Sequence, residues 1–238
     1  MRTWLRPGDA PRIVLVHGLG VAGRMHVPLA QHLARRFHVD VPDLPGFGES
    51  DKPRHTLTVN EHADVLAEWL TERGPRPAAV AGVSLGSQVA LALAHRHPGL
   101  ADLLVLGSPI VDPARRRWRS QVPRWLLEQQ TQSLRMRAIQ LDDVRKCGVR
   151  RVVRTFADAL QDRPEDRLPH VACPVLTVWG PRDPLVSRRW AERTTQLAPH
   201  GRLAVIPGGV HAMSHEHPLE LARTIGHHVD RWVLSPST

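Results

Sequence analysis

Three polar residues, each placed shortly after an apolar run, have the residue types that nucleophilic acyl transfer requires. Ser84 is the central residue of a G-x-S-x-G pentapeptide, residues 82–86, which joins an apolar run to an alanine- and leucine-rich stretch. Asp183 and His211 each follow a later apolar run. A serine hydroxyl becomes an effective nucleophile when a histidine accepts its proton and a carboxylate orients that histidine. The sequence therefore predicts acyl-transfer chemistry at these three positions.

Two of the three positions have rivals in the sequence. Asp112 also follows an apolar run, and His215 and His217 lie close to His211. We prefer His211 as the base because it is nearest to the end of its apolar run, whereas His215 and His217 fit a helix start or the surface. We prefer Asp183 as the acid, and both alternatives stay open at this point.

The elements that must position these residues alternate along the chain. Short β-branched and leucine-rich runs predict strands, and stretches of helical period with suitable N-cap residues predict helices. The predicted strands cover 12–16, 37–41, 78–83, 103–106, 175–179 and 203–206, and the predicted helices cover 27–36, 59–73, 85–97, 188–197 and 218–234. This alternation predicts an α/β fold, a mostly parallel twisted sheet with helices on both faces and functional residues after the strands.

One interval breaks the alternation. Residues 110–165 contain no strand-like run after the first few positions, and their periodicity predicts helices near 123–141 and 143–160. We therefore predict that 110–165 is an inserted helical lid. The remaining residues, 1–109 and 166–238, are predicted to form the core.

Together these motifs resemble the α/β-hydrolase-fold serine hydrolases over residues 12–234. The motifs that carry the resemblance are the turn around Ser84, Asp183, His211, the loop His17-Gly18-Leu19-Gly20 and the loop Asp43-Leu44-Pro45-Gly46-Phe47-Gly48-Glu49-Ser50. The chain order serine, aspartate, histidine is also that of this fold. The resemblance implies that Ser84 is the nucleophile, His211 the base and Asp183 the orienting acid. It also implies an oxyanion hole formed by the N–H groups of Leu19 and Leu85, and no metal or cofactor.

The chain departs from the usual pattern of that family in two respects. Few residues precede the first strong strand, which predicts a sheet of six or seven strands. The lid is short, which predicts an open pocket, with Trp118, Trp125 and Val186 as candidate substrate-binding residues. We expect His17 to brace its loop rather than to transfer protons.

Ester hydrolysis is the function that these residues favour, by a serine esterase that forms an acyl-enzyme. The alternatives are a thioesterase or esterase acting on substrates bound to an acyl carrier protein, a carbon–carbon bond hydrolase, and a ligand-binding, receptor-like relative with slow turnover. Epoxide hydrolases and haloalkane dehalogenases of this fold use an aspartate nucleophile, and the epoxide type also needs lid tyrosines. They are excluded, because position 84 is serine and the chain has no tyrosine.

The net charge of +9 is concentrated in the predicted lid. Residues 112–156 contain twelve basic and four acidic residues, so the rest of the chain is nearly neutral. Because lysine occurs at only two positions, a general preference for arginine explains the charge without any function. The alternative is an acidic partner, such as an acyl carrier protein. Nucleic acid is not expected, because the chain has no recognised binding motif and no tyrosine for base stacking.

Length, composition and cysteine content indicate the class of protein and the compartment in which it is expected. The 238 residues are 42% hydrophobic and 23% charged, which is typical of a globular domain. No apolar run reaches the roughly 18 residues that a membrane-spanning helix needs. Cys147 and Cys173 match neither a disulfide framework nor a zinc site, so we expect inert thiols, a reducing cytoplasm and a small-molecule acyl substrate.

Overall fold

A seven-stranded sheet forms the centre of the computed structural model, which describes residues 2–5 and 9–234. The strands are β1 (Arg2–Trp4), β2 (Arg12–Val16), β3 (His38–Val41), β4 (Ala79–Val83), β5 (Leu104–Gly107), β6 (Val175–Trp179) and β7 (Gly201–Val205). Their order across the sheet is β1-β3-β2-β4-β5-β6-β7. All neighbours run parallel except β1 and β3, which are antiparallel. The predicted α/β fold with a mostly parallel sheet is confirmed.

Ten α-helices lie within the described residues. They are α1 (Val27–Leu33), α2 (Val59–Glu72), α3 (Leu85–Arg96), α4 (Trp118–Thr131), α5 (Leu134–Cys147), α6 (Val149–Gln161), α7 (Pro164–Arg167), α8 (Arg188–Leu197), α9 (Met213–Glu216) and α10 (Pro218–Val229). Thr58 and Glu61 form a capping box at the start of α2, and Ser187 caps α8. The predicted elements outside the lid differ from these mainly at their ends.

The two faces of the sheet are covered by different helices. Val14 packs in a cluster with residues of α2 and α3, whereas its neighbours Ile13 and Leu15 pack with residues of α1 and α10. Successive side chains of a strand point to opposite faces, so an entirely apolar strand needs cover on both. This double cover holds the carboxyl ends of the central strands along one edge, where the candidate residues lie.

Helices α4 to α7 occupy the interval predicted as a lid, but the prediction of two long helices there was wrong. Two breaks divide the interval. Ser133 begins α5 by accepting a hydrogen bond from the backbone N–H of Met136 at 3.2 Å. Gly148, with a φ of 89°, separates α5 from α6. Helical periodicity continues across such a break, because a cap changes the direction of the chain without removing the apolar positions.

Candidate active site

Ser84 lies at a sharp turn between β4 and α3. Its φ of 58° and ψ of −121° place this non-glycine residue in a sparsely populated backbone region. The turn needs glycine on both sides: a Cβ on Gly82 would lie 2.0 Å from the carbonyl oxygen of Gly86, and a Cβ on Gly86 would lie 2.2 Å from that of Val16. The pentapeptide therefore holds the serine at the carboxyl edge of the sheet by steric necessity.

Asp183 and His211 meet from the ends of two neighbouring strands, β6 and β7. The Nδ1 atom of His211 lies 2.9 Å from Oδ2 of Asp183. The other carboxylate oxygen of Asp183 accepts hydrogen bonds from the backbone N–H groups of Leu185 and Val186, at 2.8 and 3.1 Å. A ring that donates its Nδ1–H to a carboxylate has Nε2 available to accept a proton. The pair has the orientation that a general base requires.

His211 and Ser84 line the same cavity. The structure records no hydrogen bond between the Ser84 hydroxyl and any described residue, and such contacts are often long before substrate binds. Burial by itself lowers the pKa of His211, but the charge and hydrogen bond of Asp183, with the charge of Glu128, outweigh it and raise the pKa above the ordinary value. The imidazolium that forms during proton transfer is therefore stabilised by its surroundings.

Asp112 and His215, two of the alternatives to Asp183 and His211, contact other residues instead. Asp112 accepts a hydrogen bond from the Ser187 hydroxyl at 3.1 Å and another from the backbone N–H of Ala114 at 3.0 Å, so it caps a short 3-10 helix. His215 lies 3.3 Å from the carbonyl oxygen of Met25. The geometry therefore brings Asp183, and not Asp112, to His211.

The two residues expected in an oxyanion hole belong to separate segments near Ser84: Leu85 follows it in the chain, and Leu19 lines the same cavity. Leu85 is the first residue of α3, so its N–H has no acceptor within the helix and lies at the positive end of the helix dipole. Leu19 belongs to the loop of residues 17–23, which we call the oxyanion loop. A Cβ on Gly18 in this loop would lie 3.3 Å from the Ser84 Cβ, so loop and nucleophile are in contact.

The core holds the oxyanion loop through His17 and Asp43. The N–H of Leu44 donates to Nε2 of His17 at 2.9 Å, so the ring proton is on Nδ1, which donates to the carbonyl of Gly18 at 2.8 Å. The N–H of Gly23 donates to Asp43 at 2.7 Å. Burial raises the pKa of Asp43, but backbone hydrogen bonds from Glu49 and Gly23 outweigh it and lower the pKa overall.

The predicted lid holds the same loop through Asp143 of α5. Its Oδ2 accepts a hydrogen bond from the N–H of Ala22 at 2.9 Å, and its Oδ1 lies 2.6 Å from Nη2 of Arg24. Arg24 also binds Asp142 at 2.5 Å. Only 3% of the Asp143 side chain is exposed, against 48% for Asp142. The sequence did not predict this role of Asp143, because Asp142 and Asp143 are adjacent carboxylates and no local pattern distinguishes the one that reaches Ala22.

The cavity in front of Ser84 has a volume of about 90 Å³. Apart from Ser84 and His211, its core side is mainly apolar, and its lid side combines apolar residues such as Trp125 and Met136 with the polar Gln121, Glu128 and Gln132. An apolar cleft of about 240 Å³ adjoins it and shares the side chains of Leu19 and Trp125. A small chamber at the nucleophile therefore lies next to a larger apolar cleft that is lined mostly by the lid helices.

The three residues predicted to bind substrate have different positions. Trp125 lines both the cavity and the cleft, and Trp118 lines the cleft alone. Val186 lines neither, because its N–H donates to Asp183 and its carbonyl accepts a hydrogen bond from the Trp179 ring at 2.9 Å. Its neighbour Leu185 faces the cavity instead.

Three further features bear on the class of protein: metal-binding groups, reactive thiols and membrane-spanning helices. They contain no group of three histidine, cysteine, aspartate or glutamate side chains that could hold a metal ion. Both cysteines are free, and burial raises the pKa of Cys173 to about 11, which keeps its thiol protonated. No helix in the described part of the chain is long and apolar enough to cross a membrane.

Comparison with known proteins agrees with this geometry. Residues 13–224 match the family described as Alpha/beta hydrolase family. Two similar proteins are pimeloyl-[acyl-carrier protein] methyl ester esterases. That of Vibrio cholerae serotype O1 is 29% identical over 88% of this chain and 90% of its own length, and that of Chromobacterium violaceum is 28% identical over 94% and 96%.

Solved structures share the fold. A malate-bound esterase from Thermogutta terrifontis aligns with a TM-score of 0.77 at 24% identity, over 93% of this chain and 90% of its own. An enol-lactonase from Burkholderia xenovorans LB400 aligns with a TM-score of 0.79 at 22% identity, over 97% and 95%. These two likenesses concern the fold alone.

Proposed function

The chain belongs to the alpha/beta hydrolase family and is a carboxylic ester hydrolase, and we propose that it works through an acyl-enzyme on Ser84. The observation that carries this proposal is the hydrogen bond between His211 and Asp183, in a cavity that Ser84 shares. A histidine oriented by a buried carboxylate beside a serine on a strained turn is the arrangement that activates a hydroxyl.

In the proposed reaction, Ser84 Oγ attacks the ester carbonyl carbon while Nε2 of His211 accepts the hydroxyl proton. The N–H groups of Leu19 and Leu85 stabilise the negative oxygen of the tetrahedral intermediate. His211 then gives the proton to the departing alcohol, and the acyl group remains on Ser84. A water molecule that loses a proton to His211 attacks the acyl-enzyme and releases the acid. Asp183 keeps the ring in place and stabilises the imidazolium.

The experiment that tests this mechanism compares the wild type with Ser84→Ala on a short p-nitrophenyl ester. We expect multiple turnovers by the wild type, and a loss of kcat of about 10⁴-fold or more in the variant. A fluorophosphonate should add covalently to Ser84 of the wild type only, as seen by mass spectrometry. Wild-type turnover by Ser84→Ala would reject the mechanism, and covalent labelling without repeated turnover would favour a receptor-like protein.

A matched pair of variants separates the two rival acids. Asp183→Asn should lower kcat by about 10⁴-fold, because the amide favours the wrong ring tautomer of His211. Asp112→Asn should change kcat by no more than a few-fold, because its carboxylate contacts Ser187 and Ala114 rather than the ring. The reverse result would assign the acid to Asp112.

We further propose that the ester belongs to an acyl group carried by an acyl carrier protein. The names of the similar esterases support this substrate class. Seven exposed arginines of the predicted lid have no acidic partner within the described residues, and they are Arg117, Arg119, Arg135, Arg137, Arg145, Arg150 and Arg154. Unpaired surface cations favour an acidic partner and speed its encounter. The free cysteines fit the reducing cytoplasm in which such a partner would be met.

A further inference from the structure

The lid side of the catalytic cavity carries a buried carboxylate that the proposed reaction does not use. Glu128 of α4 lines the cavity with Ser84 and His211, and only 2% of it is exposed. Its carboxylate accepts hydrogen bonds from the side-chain amides of Gln129, at 2.8 Å, and Gln132. No cation pairs with it within the described residues. Because a buried carboxylate is costly unless it is paired, this position calls for an explanation.

Gln132 adds a second acceptor to the same wall. It lines the cavity and is 6% exposed. Its amide nitrogen donates to Glu128, so the amide oxygen is the remaining group, and that oxygen has no hydrogen-bond partner. A carboxylate offers about four lone-pair positions, of which Glu128 uses two. The wall of the cavity therefore presents acceptors that lack donors.

The charges around Glu128 favour a donor rather than an acceptor in the cavity. The titratable groups that act on it are the imidazole of His211 and the carboxylates of Asp183 and Glu216. Burial raises the pKa of Glu128, and the charge of His211 opposes that rise. An anionic substituent placed here would face like charges, whereas an ammonium or hydroxyl group would find unsatisfied acceptors.

We propose that Glu128 and Gln132 form a subsite for a hydrogen-bond donor carried by the substrate close to its scissile ester. The ligand class is an ester with an N–H or O–H group, and an ammonium group would be held most strongly because a cationic donor forms a charge-assisted hydrogen bond with a carboxylate. The cavity of about 90 Å³ admits a short substituent, while the adjoining cleft takes a longer apolar portion. This inference rests on the proposed function, since it concerns selectivity among esters that Ser84 cleaves.

The experiment uses esters that differ at one group. Methyl 3-aminobutanoate, methyl 3-hydroxybutanoate and methyl 3-methylbutanoate place an ammonium, a hydroxyl or a methyl group at the same position, and a second trio places these groups two carbons further away. The measured quantity is the ratio of kcat/KM for each donor ester to kcat/KM for its methyl counterpart. Because it is a ratio, it does not depend on the fraction of protein that is folded.

We expect the wild type to prefer a donor ester in at least one trio by about tenfold or more, since a site with unpaired acceptors rejects an apolar substitute. Glu128→Gln should reduce the ammonium preference by about tenfold, and Gln132→Met should reduce the hydroxyl preference. Glu216→Gln is the matched control, because Glu216 also acts on Glu128 but binds Ser133 at 2.8 and 2.9 Å. Because Glu216 does not line the cavity, its ratios should change much less than those of Glu128→Gln.

Two outcomes would overturn the subsite. Equal kcat/KM for the three esters in both trios would show that the cavity does not recognise a donor. Ratios that stay unchanged in Glu128→Gln would show that the carboxylate is not the recognition group. Both outcomes leave ester hydrolysis by Ser84 intact, whereas turnover by Ser84→Ala would reject the proposed function itself.

Discussion

The core and lid sides of the candidate site are built by different physical means. On the core side, Ser84, Asp183 and His211 lie in the turns that follow strands, and each is fixed by the backbone or by a hydrogen bond. On the lid side, helices α4 and α5 supply polar side chains such as Glu128 and Gln140 to the cavity, and α4 also carries exposed apolar residues such as Leu126 and Leu127. In the proposed function, the core breaks the ester bond and the lid governs which ester reaches it.

The oxyanion loop contacts both the core and the lid. Asp43 of the core holds the N–H of Gly23, and Asp143 of the lid holds the N–H of the adjacent Ala22. The loop that carries Leu19 is therefore held from both sides. If Leu19 acts as proposed, a catalytic group of the core depends on a carboxylate of the lid, and movement of α5 would also affect the stabilisation of charge during the reaction.

Outside Ser84, Asp183 and His211, the largest effect is expected where the two sides meet. Asp143→Ala removes the acceptor for the Ala22 N–H and should lower kcat by about 10- to 100-fold, because loss of a whole oxyanion donor costs about 10² to 10³. Asp142→Ala is the matched control: it removes a partner of the same Arg24 but no backbone contact. Its kcat should stay close to wild type. Steady-state kinetics with a short p-nitrophenyl ester measures both.

A loss of kcat with little change in KM would identify Asp143 as a positioning residue for the oxyanion loop. Asp143→Asn, which keeps an acceptor for the backbone N–H, should recover part of the activity. Equal losses in the Asp142 and Asp143 variants would instead mean that the ion pair with Arg24 matters and the backbone contact does not.

A smaller effect is expected from the lid surface. The double variant Arg150→Glu/Arg154→Glu reverses two exposed charges on α6 and should raise KM for a carrier-bound methyl ester by about tenfold, through weaker electrostatic attraction. KM for a free short ester should not change. Arg189→Glu/Arg193→Glu makes the same change at the same spacing on α8 of the core.

If the α6 and α8 variants raise KM equally, net charge rather than the lid surface is responsible. If the α6 variant changes the kinetics of free and carrier-bound esters alike, the arginines affect the cavity and no docking surface is needed.

The remaining prediction concerns the stability of the core side in acid, with no expected effect on catalysis at neutral pH. Burial and the charge of His17 lower the pKa of His62 to about 4, below the 6.5 of an unfolded chain. The unfolded state therefore binds more protons between these values, and stability that is fully present above pH 6.5 is lost as the pH falls towards 4. Between pH 7.5 and 5.0 the wild type should lose about 2 kcal/mol more than His62→Phe.

Urea denaturation at the two pH values measures this difference. His62 packs beside Phe47 at a ring distance of 6.0 Å, so a phenyl ring suits its surroundings. The exposed His227 supplies the control, and His227→Phe should lose as much stability as the wild type. An unchanged pH dependence in His62→Phe would show that other groups govern acid stability.

The lid was harder to predict than the core for a reason visible in its helices. The breaks at Ser133 and Gly148 carry ordinary cap residues, yet apolar periodicity favoured longer helices across them. The sequence did not predict that Glu128 and Gln132 line the cavity, because a polar residue on a helix is usually solvated. Val186 seemed suited to a pocket by its apolar character, whereas its backbone N–H is what matters, as a donor to Asp183.

The sequence by itself determined the alternation of strands and helices, the turn at Ser84 and the caps at Thr58 and Ser187, because each depends on residues within a few positions of one another. Tertiary structure alone decided which carboxylate reaches His211, and that Asp143 holds a loop 121 residues away in the chain. Such contacts depend on how separate elements pack. A single sequence records which side chains can form hydrogen bonds, and the packing of the lid on the core decides which of them meet.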